Sequence, residues 1–480
     1  MKKILFLNEP FVKDFCRTQR WAARTRGRVL RAPDWLCYAA AVAKREGWDA
    51  RVYDLVAENK TKKDLAELIR GQKPDFVVLD STTPSIHSDI DCARIVKREC
   101  PSAVVIMVGP HVSAVPEQVL RAAEGFVDVI ALGEYEYTVR DIISTYPDID
   151  QGPEGVAYLK NGQGVVRAQC HFIEDLDSLP FPAWQDLNLF KYFDGGKLYP
   201  YVDVISGRGC PFQCSFCLWP QAMHGRKYRL RSPANVVDEL AWVIDIFPRI
   251  KKGEFFFEDD TFTVNAPRAV KICEEILRRN LSITFSVNSR ADTSDEGMFK
   301  MMKTAGCREL LVGFESGSQH ILDNSKKGLA IADSVRFMEA ARKAKLKVHG
   351  CFVIGLPGET EETAEQTIKF AMELGCATLQ FSAAIPFPGT DFYRECKKRG
   401  YLKTEDYTRW LNSGEQSSIV AYEDFTGLDM DRFVDKGLKQ FYFRPFFMLQ
   451  FILDTRSFSD LYRKVRGAKN FISYLLSRSN

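Results

Sequence analysis

The sequence predicts an α/β protein made of a doubly wound parallel sheet, a partial (β/α)6 barrel and a helical C-terminal tail. Three observations carry this. At 480 residues the chain is too long for one ordinary domain and can supply two or three cores. Two stretches, 1–145 and about 198–400, each alternate short apolar runs with amphipathic segments, the pattern of strand–helix units around parallel sheets. Beyond residue 400 the strand pattern stops and helical periodicity takes over.

In the first unit, residues 1–145, KILFLNEP (3–10) reads as a strand and DWLCYAAAVAKREGW (34–48) as a helix with a glycine stop. DARVYDL (49–55) is a second strand, and KKDLAELIRGQKP (62–74) a helix ended by Gly71 and Pro74. Then come DFVVLDST (75–82), a helix from about 88 to 99, AVVIMVGPH (103–111), a helix near 116–123 and VDVIALGE (127–134). Ligands of such sheets bind beyond the carboxyl ends of the strands. Those ends are NEP, DSTTPS, GPH and GEYE, which suit a large polar ligand close to backbone, or are ordinary polar turns.

Residues 146–194 read as a linker. GVAYLKNGQGVVR holds an Asn-Gly turn between two alternating runs, a hairpin signature. DLDSLPFPAW after it is broken by prolines. In the barrel unit, 195–400, strands are expected at YVDVISGRG, GEFFFEDDTF, SITFSVNSR, ELLVGFESG, KVHGCFVIGLPGE and ATLQFSAAIPFPGT. Helical patterns fall at 233–246, 266–279, 293–305, 331–344 and 360–374. The active site of such a barrel lies at the carboxyl ends of its strands.

In the tail, 401–480, the stretch from Lys439 to Asn480 holds eight Lys and Arg against two Asp, so it carries +6 and leaves about −3 on the rest. It also contains FYFRPFFMLQFIL. A helix pair docked on the barrel explains this; so does a surface that meets lipid headgroups or an apolar substrate, a peripheral membrane contact through 439–480. The start, MKKILFLNEP, has no cleavage site, and no run of about twenty apolar residues occurs, so neither a signal peptide nor a spanning helix is expected. Thirteen cysteines without a secretory leader read as mostly reduced thiols, and a cytoplasmic location is expected. A net charge of +3 without a long basic run gives no lead toward nucleic acid.

The densest chemistry is GRGCPFQCSFC, residues 207–217, with Cys210, Cys214 and Cys217 just after the first barrel strand. A structural zinc site normally takes four ligands in separated pairs, and His224 stands at an odd spacing for a finger. A disulfide suits neither three clustered thiols nor a reducing compartment. A [4Fe–4S] cluster uses thiolates, normally four; three from the protein leave one iron open for a substrate or cofactor. Gly207, Gly209 and Pro211 give the loop the unusual backbone that wrapping a cluster requires.

CPFQCSFC resembles the signature of the radical S-adenosylmethionine (SAM) superfamily, with Phe216 before the last cysteine. The resemblance implies a [4Fe–4S] cluster on Cys210, Cys214 and Cys217 whose open iron binds SAM. One electron then cleaves SAM to a 5′-deoxyadenosyl radical that abstracts a hydrogen atom. It implies that Phe216 lies against the adenine. Glu258, Asp259 and Asp260 stand where the family usually has a Gly-Gly-Glu that receives the SAM amino group. Asn288 and Arg290 would reach the carboxylate or ribose, and Glu315 the ribose hydroxyls. Gly355 and Pro357, in GLPGE, would form the adenine side, with IPFPGT (385–390) at the rim.

A Rossmann-like domain ahead of such a barrel resembles the cobalamin-binding class of this superfamily, and this likeness covers nearly the whole chain. It implies cobalamin on the loops at Ser81, Thr82, Thr83, Gly109, Gly133 and Glu134. No Asp-x-His-x-x-Gly is present, and neither His87 nor His111 has the spacing of a lower-axial ligand, so cobalamin without that histidine is expected. Within the class the commonest chemistry is methylation of an unactivated carbon or a phosphinate phosphorus, with ring contraction, ring closure, other rearrangement or hydrogen abstraction without methyl transfer as alternatives. The runs from GFESGSQHILDNSKKGL to IPFPGTDFYRECKKRGYL resemble members found with hopanoid and other lipid pathways. A lipid, isoprenoid or natural-product substrate and an electron donor of flavodoxin or ferredoxin type are therefore the expected partners. A non-catalytic redox sensor should lack the SAM contacts, which are present. A tRNA methylthiotransferase should carry three more N-terminal cysteines in a set, which are not.

Overall fold

The computed structural model describes residues 1–480 apart from 169–170, 413–414, 417, 446, 449–452, 454, 456–457 and 478–480. The first sheet contains β1 (Lys3–Asn8), β2 (Asp49–Asp54), β3 (Phe76–Asp80), β4 (Val104–Val108), β5 (Val129–Ala131), β6 (Val156–Lys160) and β7 (Gln163–Arg167). Its order is β2-β1-β3-β4-β5-β6-β7. β3 and β4, FVVLD and VVIMV, are buried along their whole length, as strands covered on both faces by helices must be. The chain reverses its order between β1 and β3, where sheets of this kind bind ligands.

The first five strands are parallel and the last two antiparallel. The hairpin expected in the linker forms, and β6 pairs with β5, so it prolongs the sheet. Asn161 and Gly162 turn it with φ of 51° and 78°, the left-handed pair that a two-residue turn between twisted strands demands.

The second sheet contains β8 (Tyr201–Val204), then, beyond a short antiparallel pair, β9 (Gly207–Arg208) and β10 (Arg229–Leu230), the strands β11 (Glu254–Phe257), β12 (Phe285–Ser289), β13 (Cys307–Glu315), β14 (Lys347–Ile354) and β15 (Thr378–Ala383). The six long strands are all parallel, in the order β15-β14-β13-β12-β11-β8. Among the described residues no pairing joins β8 to β15, so the barrel is partial. Four of its helices start at side-chain caps: Ser232 before Pro233–Ile246, Asn265 before Ala266–Arg278, Asp295 before Glu296–Thr304 and Thr390 before Asp391–Arg399.

The two units are locked together by buried charge. Glu134, after β5, takes both terminal nitrogens of Arg229 on β10, with Nη1 at 2.7 Å, and Arg208 on β9 pairs with Glu136. Trp35 stacks on Trp219 and on His224, with ring centroids 5.6 and 5.8 Å away.

The described part of the tail docks on the barrel. The helix Gly427–Tyr442 lies against β15, where a side chain at Gly437 would overlap the Phe381 ring. In the last helix, Phe458–Ser477, Tyr474 donates to Asp435 at 2.7 Å, Asn470 donates to the Gly27 carbonyl at 3.2 Å, and Arg466 lies over the Phe193 ring. These contacts hold the described tail to the rest of the chain, while Phe443, Met448, Leu453, Tyr462 and Val465 stay exposed along it. Part of the aromatic run, 446 and 449–452, lies outside the described residues. No helix among them is long and apolar enough to cross a membrane.

Candidate active site at the mouth of the barrel

The cysteine loop is clamped at its base by the β9–β10 pair. Gly209 has φ of 91°, and a side chain there would overlap the Lys227 carbonyl, so the turn into the loop admits only glycine. Gln221 reaches back to donate to the carbonyls of Cys217 (2.7 Å) and Ser215 (3.2 Å). The Ser215 amide donates to the Ser325 carbonyl at 2.9 Å, which ties the loop to the far side of the mouth.

Cys210, Cys214 and Cys217 all face one cavity of about 730 Å³. Among the described residues no three His, Cys, Asp or Glu side chains converge on the position of a single metal ion. Burial pushes the Cys210 and Cys217 thiols up, so ligation, which needs thiolates, releases protons. Arg290 lies with Nη1 3.6 Å from the Cys214 sulfur and its guanidinium 3.5 Å from the centre of the Phe212 ring. It is held there by Asp292 and by the Lys327 carbonyl.

Phe216, Glu258, Asn288, Arg290 and Glu315 line the same cavity. Glu258 pairs with Arg31 at 2.7 Å, and Asn288 donates to the Asp259 carbonyl at 3.0 Å. Glu315, with φ of 64°, pairs with the buried Lys327 at 2.7 Å.

Asp259 is turned toward Ser206. It is buried away from the cavity, where one carboxylate oxygen accepts from the Ser206 amide and the other from its hydroxyl, both at 2.6 Å. It braces the end of β8, while its neighbours Glu258 and Asp260 face the cavity. Alternation along an extended segment turns the middle carboxylate of EDD inward. Gly355 and Pro357 do not line the cavity. They lie in the turn after β14, away from the cysteines: the Gly355 carbonyl accepts from Tyr422 at 2.9 Å and the Pro357 carbonyl from Asn324 at 3.1 Å.

The six positions expected to hold cobalamin do gather at the carboxyl edge of the first sheet. Ser81 donates to the Val108 carbonyl at 2.9 Å, Thr82 bonds Ser85 at 2.9 Å, Thr83 bonds His111 at 3.0 Å, and the Gly133 amide donates to Ser113 at 2.9 Å. At Gly109, φ 108°, a side chain would overlap the Ser81 carbonyl. Glu134 is engaged by Arg229.

A family model described as the radical SAM superfamily matches residues 204–371, and one described as the B12 binding domain matches 32–143. An uncharacterized methyltransferase of Pyrococcus horikoshii is 32% identical over 440 residues, which are 91% of this chain and 93% of that protein. The chain belongs to the cobalamin-binding radical SAM enzymes. An anaerobic magnesium-protoporphyrin IX monomethyl ester cyclase of Cereibacter sphaeroides is 28% identical over 79% of this chain and 62% of its own length. The fold matches that of the radical SAM methyltransferase TsrM from Kitasatospora setae, solved with tryptophan and a SAM analogue, with a TM-score of 0.67 at 18% identity over 84% of this chain and 77% of that one.

Its cofactors are accordingly a [4Fe–4S] cluster, SAM and cobalamin. The donor set fits all three. Three thiols face one cavity, and cationic and carboxylate side chains suited to the amino-acid end and ribose of SAM surround it. At the carboxyl edge of the first sheet, both Glu9 oxygens and the Tyr135 hydroxyl are buried without a hydrogen-bond partner, Glu9 having only the Arg17 guanidinium at 4.0 Å, so polar groups remain there that an amide-rich ligand would satisfy.

Sequence reasoning passed over the segment between β1 and Asp34, where Arg17, Arg20, Arg24, Arg26, Arg28 and Arg31 crowd into fifteen residues. Arg20 pairs with Asp260 at 3.0 Å, and Arg31 with Glu258. Such arginine density in a nominal loop was the signal. Lys327, in NSKKGL, had none beyond its place after GFESGS.

The turn after β14 carries a pH dependence. Glu359 is buried there, and desolvation pushes its carboxyl up to about 7 from 4.5, although Thr363 and the Gly355 amide bond it. Between those two values the folded chain holds a proton that the unfolded chain has lost, so stability falls as pH rises through this window. Glu359→Gln keeps the acceptor without the titration. Thermal melts at pH 5 and pH 7 should differ less in the variant than in the wild type; an equal difference would mean that Glu359 does not titrate there.

Proposed function

We propose that the chain methylates an unactivated carbon of an elongated, largely apolar small molecule of lipid, isoprenoid or related natural-product type, using SAM as the source of both radical and methyl group. One observation carries this: the cavity that holds the three cysteines continues into the barrel between apolar side chains, among them Leu311, Phe352 and Phe381. When bound, the cluster supplies the electron that cleaves SAM, and cobalamin carries the methyl group.

The chain's own residues orient and shield. Arg290 and Lys327 place positive charge at the mouth, Glu315 and Glu258 place carboxylates there, and Phe216 offers a flat apolar face. Burial of this set strengthens the charged contacts that would orient SAM at the mouth. The electron would come from an external donor of flavodoxin or ferredoxin type. The overlap with a methyltransferase over nearly the full length supports methyl transfer. The 28% identity to a cyclase over 79% of this chain keeps a second reading, rearrangement or ring closure without methylation.

A product count separates the two. The protein, reconstituted without oxygen with iron, sulfide, methylcobalamin, SAM and a strong reductant, is given a total lipid extract and assayed by mass spectrometry. Comparable 5′-deoxyadenosine and S-adenosylhomocysteine are expected. 5′-Deoxyadenosine alone would replace methylation with the second reading.

A further inference from the structure

Beneath the cysteines the cavity runs down the barrel to a polar floor. Glu309, Leu311, Gly313 and Glu315 on β13 all line it, at every second position, as one face of a strand does. From Gly313, beside the Glu315–Lys327 pair, down to Glu309 is four residues, about 13 Å at the rise of a strand. Between these levels the wall is built from Leu311, Phe352, Phe381 and Leu438, with Phe471 from the last helix.

On the floor stands Lys197, just before β8. The residue is 1% exposed, yet it lines the cavity, with Nζ 3.6 Å from the centre of the Phe256 ring. Among the described residues no acceptor stands within hydrogen-bond distance of its ammonium and no carboxylate within 4.0 Å, although Glu254, Asp194 and Glu309 act on it from further away. The carboxylates around it are already engaged. Asp194 accepts from the Gly196 amide at 2.8 Å and faces Arg31 at 3.7 Å. Glu309 pairs with Arg308 at 3.0 Å, and Glu254 pairs with Arg308 at 2.9 Å and accepts from the Leu198 amide at 2.8 Å. A desolvated ammonium with no acceptor is costly to a fold, and such a group persists where a ligand completes it. A ring face satisfies an ammonium in part.

We propose that Lys197 anchors an acidic group, a carboxylate or a phosphate, at the far end of the substrate, so that an apolar body spans the lumen and brings the reacting carbon to the mouth. This rests on the radical SAM reading of the same cavity. It narrows the substrate class from apolar molecules in general to those that end in an acid about one lumen length from the reacting carbon.

The test uses the reconstituted holoenzyme with SAM and a fluorescent probe, dansyl-undecanoate, against its uncharged methyl ester. The acid should bind about tenfold more tightly than the ester, the value of one charge-assisted hydrogen bond. Lys197→Met should remove that preference and Lys197→Arg should keep it. Competition by dodecanoate and by dodecyl phosphate tells which acid the floor takes. Equal binding of acid and ester, or an unchanged preference in Lys197→Met, would overturn the anchor. Should Lys197→Met lose the cluster's visible absorbance, Leu311→Trp replaces it: blocking the lumen above the floor should abolish binding of acid and ester alike, and undiminished binding would place the probe elsewhere and sink the proposal. SAM cleavage is followed in the same samples. A holoenzyme that cleaves SAM without preferring the acid loses the anchor alone, whereas one that forms no 5′-deoxyadenosine loses the radical SAM reading.

Discussion

Cys214→Ala should abolish formation of 5′-deoxyadenosine and remove the visible absorbance of the reconstituted cluster, while cobalamin uptake by the first domain continues. The expectation follows from how the loop is built. Cys214 is buried, its carbonyl side is tied to Gln221, and its sulfur is the one within 3.6 Å of Arg290. Each thiolate of a cubane cluster holds its own iron, so two remaining thiolates leave two irons without protein ligands. No nearby thiol can take over: among the described residues the only other cysteine on the cavity wall is Cys351, which lies below the loop on β14. Cys351→Ala should therefore keep both cluster and SAM cleavage, and so should Cys396→Ala, whose thiol is buried in the helix Asp391–Arg399. The measurement is anaerobic reconstitution followed by iron and sulfide quantification, an absorbance spectrum and mass spectrometry of SAM products. Retention of cluster and cleavage by Cys214→Ala would end the radical SAM assignment of this loop.

Much of the architecture is legible in the residues because it rests on periodicity. The expected helices at 233–246, 266–279 and 331–344 stand at Pro233–Ile246, Ala266–Arg278 and Ile331–Lys343, each a stretch with one apolar stripe. The cysteine site is legible for a different reason, since three thiols within eight residues admit few chemistries. What the sequence could not reveal is which of several adjacent polar groups turns toward the cavity. Glu258, Asp259 and Asp260 are equivalent in composition, but the backbone sends the middle one onto Ser206. Gly355 and Pro357 look like a ligand-hugging turn, yet the packing of Met430 and Tyr422 against that turn comes from a helix and a loop some seventy residues on. Lys197 was invisible for the same reason: its isolation is a property of the lumen and not of its neighbours in the chain.

The second large effect is on stability. Arg229→Met should destabilise the joined domains by about 3–5 kcal/mol, the usual consequence of leaving one member of a buried ion pair without its partner. Arg229 is 3% exposed and does four things at once. It grips Glu134, donates to the carbonyls of Ile173 (2.7 Å) and His224 (3.0 Å), and covers the Phe172 ring. Without it Glu134 keeps the Ile173 amide and a guanidinium at 3.9 Å, that of Arg208. Because Arg229 belongs to β10, which closes the base of the cysteine loop, the variant should also hold its cluster less well. Denaturant unfolding followed by tryptophan fluorescence reads the first effect, and iron retention after gel filtration the second. The partner substitution decides what Glu134 is for. If it serves to join the domains, Glu134→Gln added to Arg229→Met should recover part of the loss, since no uncompensated charge remains. If it serves cobalamin, Glu134→Gln alone should lower cobalamin occupancy at nearly unchanged stability. The bidentate grip of Arg229 favours the first outcome, in which this acidic residue at the sheet edge holds the cobalamin-binding domain against the base of the cysteine loop.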